Sequence, residues 1–375
     1  MNIRSHLVVL LACTMFATVS GRAAQSLREA AHEIGLSVGT AVNPVLFSNP
    51  DYARALARQF NMIEPENQMK WRATEPARGV FDFRAGDRVV DFAKAHEMKV
   101  RGHNLLWGKY NPVWLTQGHF TPTQLRNIMK NHIQMVVRHY RGQVFAWDVV
   151  NEAFDGKGYL RHTIWYDQPG IGLAGKGTAY IAQAFRWAHQ ADPRALLFYN
   201  EVGADGINAK SGAVYEMVKE FIRQGVPISG VGLQMHVFHR DDVPTHLARN
   251  IARFTKLGVE VQITEMDVAL PLSGHGHVSK SQLAWQAKIY RNVATDCAEN
   301  PGCTAFQTWG FTDRHSWIPA HTKGKRGAAL IFDSEYRPKP AYRAVVEAFR
   351  DVLKSNPHIK EQRLQFEQKV ASAGR

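Results

Sequence analysis

Hydrophobic spacing along the chain alternates between two kinds of segment. Short, nearly continuous apolar runs occur at 38–42 (VGTAV), 60–66 (FNMIEPE), 99–107 (KVRGHNLLW) and 144–152 (VFAWDVVNE). They recur at 195–201 (ALLFYNE), 230–236 (GVGLQMH), 259–267 (VEVQITEMD) and 304–310 (TAFQTWG). Such runs suit strands of a parallel sheet covered on both faces. Between them, 83–97, 121–140, 176–191, 211–225, 243–258, 279–300 and 339–355 carry apolar residues at helical spacing. Several of these begin after Ser, Thr or Pro, or end at Gly, as helices do. Strands and helices in strict alternation predict an α/β fold, a (β/α)8 TIM barrel. The main rival is an open doubly wound sheet. It usually carries a glycine-rich turn after its first strand, and VGTAVNPVLF has none. With no linker, repeat or low-complexity block, the pattern implies one domain over about 25–355. Residues 356–375 form a charged tail, helical or loose.

The amino terminus departs from this pattern. Arg4 precedes a mostly apolar stretch from Leu7 to Val19, and small residues follow near Ala23. That is the layout of a signal peptide over 1–23, too short to span a bilayer comfortably. A secreted or periplasmic protein is expected, with no membrane contact after cleavage; a lipoprotein site at Cys13 is the alternative. In an exported chain, Cys297 and Cys303 flank a Pro-Gly turn and suggest a disulfide, with two free thiols as the other reading. The formal net charge of +13 is not gathered into a dense run. In an exported protein it argues against nucleic acid and leaves a bland basic surface, or an acidic polysaccharide as partner. A monomer is expected.

Polar and aromatic residues collect where strands end. They are Glu64, Glu66, Asn67 and Lys70 after the second run, His103 and Trp107 on the third, Asn151 and Glu152 on the fourth, and Asn200 and Glu201 on the fifth. Gln234 and His236 end the sixth, Glu265 and Asp267 the seventh, and Trp309 the eighth, with Trp317 just beyond. Catalytic groups of barrel enzymes lie at the C-terminal ends of strands. Glu152 and Glu265, on strands four and seven, would face one another across a small barrel. Paired carboxylates among tryptophans point to glycoside hydrolysis, one protonating the leaving oxygen and the other attacking the anomeric carbon. Indole rings stack on the C–H face of a sugar, while its hydroxyls take Asn, Gln, His, Lys and Glu. By strand alternation Gln234 and His236 point one way, as do Glu265 and Asp267. His236 can then bridge to Glu265 with Asp267 fixing its orientation, unless it is simply a satisfied core histidine. A metal reading of His103, His236, Glu265 and Asp267 lacks the His-x-His usual on the first strand. No metal or cofactor is called for.

At this point a resemblance emerges. EPENQMKW, RGHNLLW, WDVVNEAF, GVGLQMH, ITEMD and FDSEYRPKPAY resemble, in order, motifs of the glycoside hydrolase family 10 endo-β-1,4-xylanases, from about residue 30 to 350. The resemblance implies a retaining xylanase with Glu152 as general acid/base and Glu265 as nucleophile. It implies that Asn151 contacts the sugar 2-hydroxyl on the non-reducing side. Glu66, Asn67, Lys70, His103, Trp107, Gln234, Trp309 and Trp317 would shape the glycone subsites for xylan or xylooligosaccharides. The Cys297–Cys303 spacing also resembles a family disulfide.

Two departures stand out. The family often has Asn-Asp-Tyr-Asn after strand five, and this chain has NEVG, with Val202 and Gly203 in place of the tyrosine and second asparagine. Residue 108 is Gly, where a second His often follows the Trp. Weaker binding on the leaving-group side is therefore expected. A barrel hydrolase for β-glucan, or a non-catalytic sugar-binding protein on the same scaffold, are the rival functions. One difficulty stands in WDVVNEAF itself. Strict alternation sends Asn151 and Glu152 to opposite faces, so the strand must twist or bulge there.

Overall fold

The computed structural model describes residues 25–273 and 276–373; the signal-peptide reading lies outside them. Eight parallel strands close on themselves: β1 Ser37–Val42, β2 Met62–Pro65, β3 Lys99–Trp107, β4 Ala146–Asn151, β5 Leu196–Glu201, β6 Gly230–Leu233, β7 Glu260–Val268 and β8 Cys303–Thr308. Each pairs with the next in sequence, and β8 pairs with both β7 and β1, which completes a (β/α)8 barrel. The helices read from spacing are present with slightly shifted ends, for example Pro122–His139, Ala209–Arg223 and Lys280–Ala298. Their starts obey local chemistry. Thr121, Asn208 and Ser279 each accept a backbone N–H of the first turn through their side chains.

Most of the apolar core lies between the strands and the surrounding helices, where Ile63, Val149, Val231, Ile133, Phe185 and Phe349 are buried. A fully buried side chain of this size contributes roughly 1.5–3 kcal/mol. Inside the barrel the space is shared with polar groups, and glycine makes room for them. A β-carbon on Gly232 would lie 2.2 Å from Asn200 Oδ1.

Two features differ from the sequence reading. Helices Leu27–Glu33 and Pro50–Gln59 were not anticipated. Strand six stops at Leu233, because Met235 takes a φ of 65°; His236–Val237 then pairs separately with β7. Of the two readings of the C-terminal tail, the helical one holds: Ile359–Ala373 is a helix. Its Arg363 is buried and donates to the carbonyls of Cys303 (3.0 Å), Ala298 (2.7 Å) and Ile34. That tail therefore docks on the loop that the Cys297–Cys303 disulfide closes. Among the described residues no helix is long and apolar enough to cross a membrane.

Candidate active site

The C-terminal ends of the strands open into a cleft of about 870 Å³. Glu66, Asn67, Lys70, Trp107, Trp309 and Trp317 line one part of it, and Glu152, Gln234, His236 and Glu265 its centre. His103, Asn151 and Asp267 are buried behind this wall. A cavity of similar volume, about 890 Å³, lies against the Leu27–Glu33 helix and the C-terminal helix. Charged groups of both signs line it, including Arg28, Arg58, Glu29 and Glu367, and no Trp, Tyr or Phe is among its lining residues.

Chain geometry at Glu152 resolves the alternation problem. Its φ is 54°, in the left-handed region. A non-glycine residue there costs about 1–3 kcal/mol unless its surroundings hold it. The turn brings Asn151 and Glu152 to one donor: Gln234 Nε2 lies 3.1 Å from Asn151 Oδ1 and 3.4 Å from Glu152 Oε1. Asn200 continues the chain, donating from Nδ2 to Asn151 Oδ1 (3.0 Å) and to Glu265 Oε1 (2.7 Å). Thr264 donates its hydroxyl to Asn200 Oδ1 at 2.8 Å, which fixes the orientation of the amide. The two carboxylates are thus joined by amides through Gln234, Asn151 and Asn200.

Glu265 Oε2 meets His236 Nε2 at 3.1 Å, and His236 Nδ1 lies 3.1 Å from Asp267 Oδ2. Burial opposes charging His236, but the Asp267 and Glu265 carboxylates outweigh it and hold the imidazole well above its usual range. Burial also opposes charge on Glu265. The hydrogen bond from His236 and the nearby His103, His236 and Lys70 prevail and lower it to about 2. Glu265 is therefore an ionised, unprotonated carboxylate aimed by His236. Trp317 Nε1 donates to Asp267 Oδ2 at 2.8 Å, so one tryptophan of the cleft wall also anchors this relay. Lys70 donates to Asn67 Oδ1 (2.9 Å) and lies 5.1 Å from the Trp107 ring and 5.5 Å from that of Trp309. Burial lowers the Lys70 ammonium, while Glu265 and other carboxylates work the other way.

Beneath the cleft, Glu64, His103 and Asp148 present ligand atoms within 4.8 Å of one another, a spacing that could hold a metal. The chain supplies its own cation there. Arg101, wholly buried, pairs with both carboxylates and donates to Gln262 Oε1 at 3.0 Å. Asp148 also meets His103 Nδ1 at 2.9 Å, which orients that ring under Trp309. This donor set fits a guanidinium rather than a metal ion.

Sequence reasoning missed several contributors. Asn200 was noted at a strand end but not as the link between the carboxylates. Lys109, whose Nζ lies 3.2 Å from Glu152 Oε2, gave no signal beyond following Trp107. Its side chain is 65% exposed, so the pair adds little stability. Tyr110 lines the cleft next to it, with Lys70 Nζ 5.0 Å and Arg72 Cζ 4.3 Å from its ring. Arg101 could have been suspected, because a charge within an apolar strand must find a partner.

Buried acids set a pH signature. Burial raises Glu260 from 4.5 to about 7, and likewise Glu66 to about 7. A carboxyl with a raised folded pKa binds its proton more tightly in the folded state. Its contribution is complete below 4.5 and is lost as pH rises through about 7. Glu265 has the opposite sign: its contribution is present above 4.5 and is lost as pH falls toward about 2. Thermal melting across pH is therefore expected to show greatest stability near 4.5 and a decline toward 7. A melting temperature that climbs through that window contradicts the assignment.

A closed parallel barrel with two carboxylates on facing strands, set among indoles, defines a carbohydrate-active barrel hydrolase. Residues 26–348 match the family described as Glycosyl hydrolase family 10. Endo-1,4-beta-xylanase B of Thermotoga neapolitana is 41% identical over 332 residues, 88% of this chain and 92% of that protein. Native xylanase 10B of Thermotoga maritima superposes with a TM-score of 0.81 at 40% identity, over 88% of this chain and 100% of that one. Xylanase 10B of Thermotoga petrophila, solved with xylobiose, gives 0.80 at 41% identity over 87% and 97%. The chain belongs to glycosyl hydrolase family 10.

Proposed function

We propose that this chain is a retaining endo-1,4-β-xylanase that cleaves internal bonds of xylan, with Glu152 as general acid/base and Glu265 as nucleophile. The observation that carries the reading is the joined pair: Glu265 ionised on His236, and Glu152 tied to it through Gln234, Asn151 and Asn200. In the first step Glu265 attacks the anomeric carbon while Glu152 gives its proton to the departing oxygen. Forming the ester removes the charge of Glu265, and Glu152 then takes a proton from water, which releases the sugar with its configuration retained. Asn151, held by Asn200 and Gln234, presents its amide to the sugar bound at the centre. Lys70, Asn67 and Glu66 address hydroxyls on the glycone side, with Trp107, Trp309 and Trp317 as apolar walls. The same chemistry accounts for xylobiose in the Thermotoga petrophila structure. The amino-terminal segment supports export to the polymer.

Product analysis on glucuronoxylan, with mixed-linkage β-glucan alongside, tests the reading. Short xylooligosaccharides released from the first, with far slower attack on the second, are expected. Equal attack on both favours the β-glucan alternative, and no reducing sugar from either favours a binding protein.

On the leaving-group side Val202, Gly203, Ile207, Val243 and Pro244 line the cleft. This aliphatic wall offers less stacking area than an aromatic platform. Subsite mapping with xylooligosaccharides is expected to place most occupancy on the glycone side. Cleavage patterns dominated by leaving-side occupancy contradict this.

A further inference from the structure

Three consecutive backbone amides follow the end of strand four, and each has a partner on the neighbouring strand. Glu152 N–H donates to the Asn200 carbonyl (2.9 Å), Ala153 N–H to Tyr199 Oη (3.0 Å) and Phe154 N–H to Glu201 Oε2 (3.1 Å). The acceptors are themselves three consecutive residues, and two of them act through side chains. Tyr199 also donates its hydroxyl to Glu201 Oε2. The other oxygen of Glu201 takes Lys210 Nζ at 3.2 Å, and Lys210 donates as well to the Val202 carbonyl at 2.8 Å. Tyr199 and Glu201 are fully buried, Lys210 nearly so, and none of the three lines the cleft.

We infer that Tyr199, Glu201 and Lys210 are positioning residues, a clamp that holds the left-handed turn at Glu152 and so aims its carboxyl at the departing oxygen. The inference rests on Glu152 as the acid/base. The physical case is the turn itself. A glutamate with a φ of 54° persists only where its surroundings determine it, and the contacts just after it are these. Without the clamp the chain relaxes toward extended backbone, which turns Glu152 to the face opposite Asn151. Proton transfer needs hydrogen-bond reach, and a shift of about 1 Å can cost on the order of 10²-fold in rate.

A buried ion pair that merely stabilises the fold would affect every substrate alike. A clamp on the acid affects only substrates whose leaving group needs a proton. The test compares kcat/KM on xylotetraose and on dinitrophenyl β-xylobioside, which departs unaided, for the full chain and its Tyr199→Phe and Glu201→Gln variants. Tyr199→Phe removes one acceptor; Glu201→Gln keeps the shape but not the second anionic oxygen, and serves if the first variant does not fold. A loss on the order of 10–10²-fold on xylotetraose, with a far smaller loss on the aryl substrate, is expected. Equal losses on both, or no loss on either, overturn the clamp. Glu152→Ala, assayed in parallel, separates the two claims. If it depends on the leaving group and the clamp variants do not, the clamp alone falls. If it shows no such dependence, the acid/base assignment falls and the clamp with it.

Discussion

Glu265→Ala is expected to abolish turnover on xylan and on aryl xylobiosides alike, whereas Glu152→Ala is expected to spare the first chemical step on the aryl substrate. The asymmetry follows from the two carboxylates' surroundings. Glu265 is held ionised by His236, which Asp267 keeps charged. As the proposed nucleophile it carries the atom that forms the covalent bond, so no choice of leaving group compensates for its removal. As the proposed acid, Glu152 supplies a proton that a dinitrophenolate does not need. On xylooligosaccharides its loss is expected to lower kcat/KM by about 10²–10⁴-fold, the usual worth of a general acid. On the aryl substrate kcat/KM stays near the parent value, while kcat falls because water is no longer activated for the second step. Steady-state kinetics on both substrates checks this. A Glu265→Ala protein that still turns over the aryl substrate, or a Glu152→Ala protein equally impaired on both, contradicts the roles.

Arg101→Met is expected to lower stability by about 3–5 kcal/mol, because it strands buried carboxylates without their cation. Folded domains hold only about 5–15 kcal/mol in total, so this one change threatens the fold. Arg101 is wholly buried and pairs with Glu64 (2.8 Å) and Asp148. Burial alone pushes Glu64 up and Arg101 down; their mutual attraction, with Asp148, is what keeps Arg101 charged. Glu64 is already raised to about 7, and losing the Arg101 charge would push it up further. The deficit of the variant would then be smallest at low pH and grow as pH rises from 4.5 through that range. Denaturant melts at neutral pH and near pH 4.5, the usual value of a glutamate, measure both parts. A variant as stable as the parent, or a deficit that does not shrink in acid, contradicts the account.

The barrel was legible because its strands are covered on both faces, so each reads as an unbroken apolar run ending in polar groups. The carboxylate pair proposed to do the chemistry was legible for the same reason. Glu152 and Glu265 stand at strand ends, among the indoles of the cleft. What stayed hidden depended on backbone direction and on contacts remote in sequence. Alternation put Asn151 and Glu152 on opposite faces, and only the φ of Glu152 brings both to Gln234. Gln234 and His236 do converge on the two carboxylates, yet by a break at Met235 rather than by the plain alternation expected. Asn200 looked like one more polar strand end, since its partners Asn151, Thr264 and Glu265 come from two other strands. The C-terminal segment could be read as helical or loose, and its docking combines Arg363 reaching backbone carbonyls with the buried side chains of Ile359 and Val370, two apolar positions too few to mark an amphipathic helix in the sequence.

The most direct test of the central claim is peptide mass spectrometry after reaction with a 2-fluoro xylobioside that bears a good leaving group. The fluorine slows both steps, and the leaving group lets the ester form faster than it hydrolyses. The account predicts one fluoroxylobiosyl ester, on Glu265. A label on any other residue, or full turnover with no covalent intermediate, would contradict it.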